Sequence, residues 1–259
     1  MIPTALTIAG SDPSGGAGIQ ADLKTFHQRK VYGMAVLTLL TVQNTRGVGE
    51  VHVLKPEQVA KQLEAVIEDI KPGAAKTGAL GNAAVIRCLA RKARGFSFPL
   101  VIDPVMVSKH GAPLLKKNAL AAFKKDLLPH ASLVTPNTAE AELLCGCRVR
   151  SVSDMKKAAE RILALGSGAV LIKGGHLKGP AADLFFDGKQ TVLLKARRVK
   201  TRHTHGTGCT YSAAITAELA KGKGLLAAVR TAKKFITRAI RTAPGLGHGF
   251  GPVNHFAEI

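Results

Sequence analysis

Residues 204–212 read Thr-His-Gly-Thr-Gly-Cys-Thr-Tyr-Ser, with two glycines and a threonine directly before a cysteine at the start of a helical pattern. Backbone amides in such a stretch can converge with no side chains between them. A helix N-terminus adds unpaired N–H donors and about half a positive charge. The chemistry this suits is anion binding at Gly206, Thr207 and Gly208, against the plainer reading of a tight strand-to-helix turn. Cys209 falls where the field is strongest, so its thiol is expected to be acidified and partly thiolate at neutral pH. A cysteine is as often a small buried apolar side chain, and the residues alone leave that choice open.

Three further groups could do chemistry. Residues 8–18, Ile-Ala-Gly-Ser-Asp-Pro-Ser-Gly-Gly-Ala-Gly, form a second glycine-rich loop. It lacks the Gly-Lys-Ser/Thr of a P-loop and the final glycine of a dinucleotide fingerprint. It suits backbone lying close to a small ligand, with Asp22 beyond it either hydrogen-bonded nearby or solvated. Asn137 and Glu140 are three residues apart, on one face if a helix begins at the asparagine. An amide and a carboxylate beside phosphates suit Mg²⁺, which takes few protein ligands; on spacing alone a reciprocal cap is the better reading. Lys173 ends an apolar run, as a lysine aimed at an anion or one whose stem runs out to solvent.

The elements that must position these residues alternate. Strands are expected at 5–10, 35–42, 73–78, 100–105, 132–137 and 169–175, several apolar throughout, as in strands covered on both faces. Helices are expected over 57–70, from a cap at Asn82, from a cap at Ser153 to near Gly166, from Cys209 to about Ala220, and over 225–243. Runs at 183–187 and 191–195, separated by Gly188-Lys189, predict an antiparallel edge hairpin. The rhythm implies one domain, 1–259, with a mainly parallel, doubly wound sheet. In such sheets ligands bind beyond the carboxyl ends of the strands. Those ends carry Gly10-Ser11-Asp12, Gln43-Asn44, Lys76-Thr77-Gly78, Asp103-Pro104, Asn137 and Lys173-Gly174-Gly175.

Composition narrows the class. The 259 residues are 46% hydrophobic, an ordinary globular value. No basic leader with an apolar run and no apolar stretch of about 18 residues is present, so a cytoplasmic protein without a membrane span is expected. Four cysteines (Cys88, Cys145, Cys147, Cys209) make no zinc pattern. The net charge of +20 raises the question of nucleic acid. However, the cations are dispersed, and two tyrosines with no tryptophan offer few stacking platforms. Nucleic acid is therefore not expected; a basic surface would equally draw an anionic small molecule.

Taken together, the segments 5–26, 42–48, 76–78, 101–111, 127–141, 170–177, 204–214 and 247–256 resemble, in order, the hydroxymethylpyrimidine/phosphomethylpyrimidine kinases of thiamine biosynthesis, in the ribokinase superfamily. The resemblance implies a ribokinase-like three-layer α/β/α sandwich, and ATP and Mg²⁺ as cofactors. It implies phosphorylation of 4-amino-5-hydroxymethyl-2-methylpyrimidine and then of its monophosphate, with pyridoxal or pyridoxine kinase as the alternative. It gives Gly206, Thr207 and Gly208 as the anion hole and Cys209 as the base for the hydroxymethyl group. Gln43, Gly10, Asp22 and Val105 fall to the substrate, and Lys173, Asp103 and Asn137 to ATP and its phosphates. Glu140, with Asn137, organises Mg²⁺ through water. A homodimer is implied as well. Ala79 stands where the family usually carries methionine, which opens the ring pocket.

Overall fold

The computed structural model describes all residues except Met1, Lys109, His110, Ala112, Pro113, Lys116, Lys117, His176 and Lys178. Parts of the basic run 114–126 and of the motifs at 101–111 and 170–177 thus lie outside the described residues.

Apolar residues in the central strands alternate between two cores. Leu100 and Ile102 of β5 (Leu100–Ile102) face one core and Val101 the other; β1 (Thr4–Ser11) divides Leu6 and Ile8 from Ala5 in the same way. This period of two buries both faces, so the strands must be covered twice. One layer holds α2 (Pro56–Asp69), α3 (Ala83–Ala93), α4 (Ala119–Ala122), α5 (Thr138–Cys145) and α6 (Val152–Leu163). The other holds α1 (Gly18–Gln28), α7 (Thr207–Ala220) and α8 (Leu225–Arg241).

The remaining strands are β2 (Tyr32–Asn44), β3 (Gly47–Val53), β4 (Ala74–Thr77), β6 (Leu133–Val134), β7 (Val170–Ile172), β8 (Ala181–Phe186) and β9 (Thr191–Ala196). The sheet order is β3-β2-β1-β4-β5-β6-β7-β8-β9. From β2 to β7 neighbours pair parallel; β3, β8 and β9 pair antiparallel. The three-layer sandwich and the edge hairpin are as the sequence implies. Among the described residues no helix is long and apolar enough to cross a membrane.

The differences are local. The cap of α6 is Ser151, whose side chain accepts from the Asp154 amide at 3.1 Å, not Ser153. Asp154 answers as the reciprocal acceptor, so the capping box fixes the start two residues earlier. Asn82 does cap α3, accepting from Val85 N at 3.0 Å. The run at 132–137 supplies only Leu133–Val134 as strand, because Asn137 is already the cap of α5. Helix α1 and strand β3 have no counterpart in the sequence reading. The first follows directly from a glycine loop, and the second is a partly exposed edge with a weak apolar pattern.

Helix α7, whose N-terminus is the anion-binding candidate, is tied down at its far end. Glu218 has a fully buried side chain and meets Arg29 and Lys221 at 2.8 Å and Lys223 at 2.6 Å. Burial pushes its carboxyl up, but hydrogen bonds from Lys221, Lys223 and Arg29 win and hold it down to about 2. The depressed value means the stabilisation is present above the ordinary carboxylate range and is lost as pH falls from 4.5 toward about 2. The shift corresponds to roughly 3 kcal/mol. Glu218→Gln should cost about that much in urea unfolding at pH 7. The gap to the parent protein should close as the pH approaches 2; a constant gap would show that the carboxylate is not the source.

Candidate active site

The carboxyl ends of the central strands open into a cleft of about 520 Å³. The structure brings nearly every expected residue to it. Gly10, Gln43, Asp103, Val105, Asn137, Glu140 and Lys173 line it together with Gly206, Thr207, Gly208 and Cys209. Asp22 is the exception. It is fully buried behind the cleft on the inward face of α1, where it accepts from Thr7 Oγ1 at 2.6 Å and Lys76 Nζ at 2.8 Å. Because both bonds are internal to the core, Asp22 is a partner of Lys76 and not a lining residue.

The N-terminus of α7 forms one wall. Gly206 caps it with φ 74°, the left-handed region that favours glycine. A β-carbon there would lie 1.7 Å from the Gly16 carbonyl oxygen, so no other residue fits. The amides of Gly208 and Cys209 belong to the first turn, which has no carbonyl partners within the helix. Thr207 is partly used, its hydroxyl donating to the Thr204 carbonyl at 2.7 Å and its amide reaching the same oxygen at 3.3 Å. A β-carbon at Gly208 would lie 3.4 Å from Lys173 Nζ and 3.5 Å from Asp103 Oδ2. The turn therefore rests directly on that pair.

Lys173 donates to Asp103 Oδ1 at 2.8 Å, and Asp103 also accepts from Thr135 at 3.2 Å and Ser212 at 3.3 Å. Burial would lower the Lys173 ammonium's pKa, but Asp103 and Glu140 raise it above the usual lysine range. A cation is thus held at the cleft floor. The capping box at α5 is formed as spacing suggested: Asn137 Oδ1 accepts from Glu140 N at 3.0 Å and Glu140 Oε2 from Asn137 N at 2.8 Å. Glu140 Oε1 also accepts from the Met106 amide at 3.3 Å. Burial, with Asp103 close by, holds this carboxyl above its ordinary range against the pull of Lys173. The bridge Asn137↔Lys173 joins both ends of this array. Val105 stands in the same wall with φ 40°, a strained value for a β-branched residue, of the kind concentrated at functional sites.

Of the two readings the sequence leaves open for Cys209, the electrostatics favour the protonated thiol. Burial, with Asp22 and Asp103 nearby, pushes its thiol up to about 12 although Lys76 acts against this. Desolvation, together with the charges of Asp22 and Asp103, outweighs the helix N-terminus, because removing water from a thiolate costs more than the partial charge returns. The balance of these effects favours the thiol over the thiolate at Cys209.

The sequence places Asp12 and Lys76 at the strand ends without assigning either a role, and it gives His205 none. Lys76 has no exposed surface, and Asp22, Cys209 and Asp103 raise its pKa against burial. Its signal was a lysine inside an otherwise apolar strand. Asp12 gathers the glycine loop: Oδ1 accepts from Ser14 N at 2.9 Å and Ser14 Oγ at 2.7 Å, and Oδ2 from Gly16 N at 3.1 Å and Ala17 N at 2.8 Å. His205 Nε2 reaches the same Oδ2 at 2.7 Å. Burial pushes the Asp12 carboxyl up, yet the bonds from His205 and Ser14 hold it below its ordinary range. These two are 193 positions apart, and no local pattern joins them.

Comparison with known proteins bears on this arrangement. The hydroxymethylpyrimidine/phosphomethylpyrimidine kinase of Bacillus subtilis is 47% identical over 256 residues, covering 98% of this chain and 94% of its own. Phosphomethylpyrimidine kinase of Clostridium difficile superposes with a TM-score of 0.83 at 45% identity, over 92% of this chain and 99% of that one. The pyridoxal kinase of Staphylococcus aureus in complex with AMP-PCP and pyridoxal gives a TM-score of 0.91 at 39% identity, over 99% and 95%. The family model for phosphomethylpyrimidine kinase matches residues 12–254, and with that span and these identities the chain belongs to the phosphomethylpyrimidine kinase family.

Proposed function

We propose that this protein transfers the γ-phosphoryl group of ATP to the hydroxymethyl group of 4-amino-5-hydroxymethyl-2-methylpyrimidine, and in a second turnover to the monophosphate so formed, within thiamine biosynthesis. One observation carries the reading: a single cleft joins the N-terminus of α7, the Lys173–Asp103 pair and Gln43 with Gly10. Phosphoryl transfer asks the protein for positioning and charge stabilisation more than for covalent chemistry. Gln43 and Gly10 are suited to seat the ring, Val105 to shape its wall, and Lys173 to meet the phosphates. The first-turn amides of α7 are suited to the γ-phosphoryl oxygens.

In each turnover an acceptor oxygen bonds to the γ-phosphorus and the bond from that phosphorus to the bridging oxygen breaks, releasing ADP. The acceptor is the hydroxyl first and the phosphate oxygen second. The hydroxyl proton leaves late, passing to the transferred phosphoryl oxygens or to water, because a loose transition state does not need an alkoxide. A protonated Cys209 suits a hydrogen-bond partner that orients the hydroxyl, rather than a standing base. Mg²⁺ fits as a hydrated ion. Among the described residues no group of three or more metal-ligating side chains exists, while Asn137, Glu140 and Asp103 offer hard oxygen donors at the phosphate side. When bound, the ion would neutralise phosphate charge.

The alternative substrate is pyridoxal. Ala79, buried and lining the cleft, leaves ring space open, and the Staphylococcus aureus neighbour binds pyridoxal. The curated relatives favour the pyrimidine. We take the chain as one domain working in the cytoplasm as a homodimer; exposed Leu40 and Val42 on β2 are apolar surface that a second copy would cover.

Two measurements test the reading. Parallel steady-state assays should give the higher kcat/KM for the pyrimidine, and Ala79→Met should depress pyridoxal turnover more than pyrimidine turnover; the reverse order would make this a pyridoxal kinase. Cys209→Ala should lower kcat about 100-fold while AMP-PCP binding persists. Cys209→Ser should stay within about 10-fold of the parent, because a hydroxyl can replace a thiol as hydrogen-bond partner. With the thiol pKa about 12, iodoacetamide should label Cys209 slowly at pH 7. Fast labelling, or serine as inactive as alanine, would restore the thiolate base.

A further inference from the structure

The 10–18 loop, beside Gly10 and Gln43, belongs to the acceptor side of the cleft, and the 204–209 turn to the phosphoryl side. They are pressed together more tightly than two ordinary loops can be. The β-carbon of any residue at Gly16 would lie 2.6 Å from His205 Cδ2. One at Gly206 would lie 1.7 Å from the Gly16 oxygen. Between the loops stand two buried side chains, Asp12 and His205, 0% and 4% exposed. The carboxylate binds its own loop through four hydrogen bonds and accepts the fifth, at 2.7 Å, from the imidazole at the root of the other loop.

His205 is fixed from behind as well. Its amide donates to the Gly251 carbonyl at 3.0 Å, and its carbonyl accepts from Val253 N at 3.4 Å. The next residue, Gly206, caps α7. The direction of the first-turn amides therefore depends on where His205 is held, and Asp12 holds it. With the Asp12 carboxylate as acceptor, Nε2–H is the donor of this bond.

We infer that Asp12 and His205 form a positioning pair that locks the phosphoryl-binding turn of α7 to the acceptor loop and so sets the distance between acceptor and γ-phosphoryl; His205 lies at the edge of the cleft and Asp12 behind it. The inference rests on the kinase reading above. A displacement of about 1 Å at such a turn is enough to cost about 100-fold in rate. The loss belongs in kcat, because the pyrimidine's contacts at Gly10 and Gln43 remain.

The test uses the full-length enzyme with the pyrimidine and ATP. His205→Ala should lower kcat 30- to 100-fold by this estimate, with KM for the pyrimidine within about 3-fold and AMP-PCP binding weakened. His205→Gln, whose amide nitrogen can reach Asp12, should recover most of kcat. Asp12→Asn, which keeps the size and loses the charge, should resemble His205→Ala. Thermal unfolding of each variant separates the roles. A His205→Ala protein with a lowered melting point and near-parental kcat would overturn the inference. So would equal kcat losses in His205→Ala and His205→Gln at equal melting points. Should His205→Ala not fold, normal kcat in both His205→Gln and Asp12→Asn overturns it, and a kcat loss in Asp12→Asn with recovery in His205→Gln supports it. Pyrimidine turnover absent from the parent enzyme itself would instead refute the kinase reading and leave the pair untouched.

Discussion

Two backbones meet here at separations that a β-carbon forbids, and the cleft depends on that contact. The Gly16 oxygen occupies the space a side chain at Gly206 would need, and the His205 ring occupies the space of one at Gly16. Glycine at these points is a steric condition for putting a helix N-terminus against a loop, rather than a source of mobility. The close approach lets amides, rather than long side chains, face the cleft. Fixed amide dipoles need little rearrangement as charge moves during a reaction.

Charge is arranged in depth behind that contact. Lys76 and Asp22 form a fully buried pair, and Lys173 and Asp103 a second pair at the cleft floor. Buried pairs of this kind rarely add stability, since desolvation consumes most of the attraction. Their consequence here is electrostatic. The carboxylates of Asp22 and Asp103, with burial, keep Cys209 protonated, while Lys173 remains cationic beside them. The same cluster thus sets a neutral thiol beside a held cation within one cleft.

The cleft's substrate end is shaped by backbone as much as by side chains. Val105 holds a left-handed conformation next to Met106, whose amide is fixed by Glu140. The Ala79 carbonyl accepts from Thr38 at 2.6 Å, which pins the strand end whatever residue occupies position 79. A change of side chain at position 79 therefore leaves this hydrogen bond in place.

Much of this was written in the chain itself. The period-two apolar strands and alternating helices determined a doubly covered sheet, and the order of motifs pointed to the kinase family that comparison supports. Local chemistry also named the cap at Asn82, the Asn137–Glu140 box and the glycines at Gly206 and Gly208. What needed the tertiary structure was whatever depends on distance between remote segments or on lost water. Asp12 finds His205 and Asp22 finds Lys76 only after the strands are ordered side by side. The ionisation of Cys209 follows from the carboxylates and the burial that folding gathers around it, which is why the sequence alone left its two readings even. A sequence specifies periodicity and backbone freedom directly; desolvation and long-range pairing exist only once the fold has brought their members together.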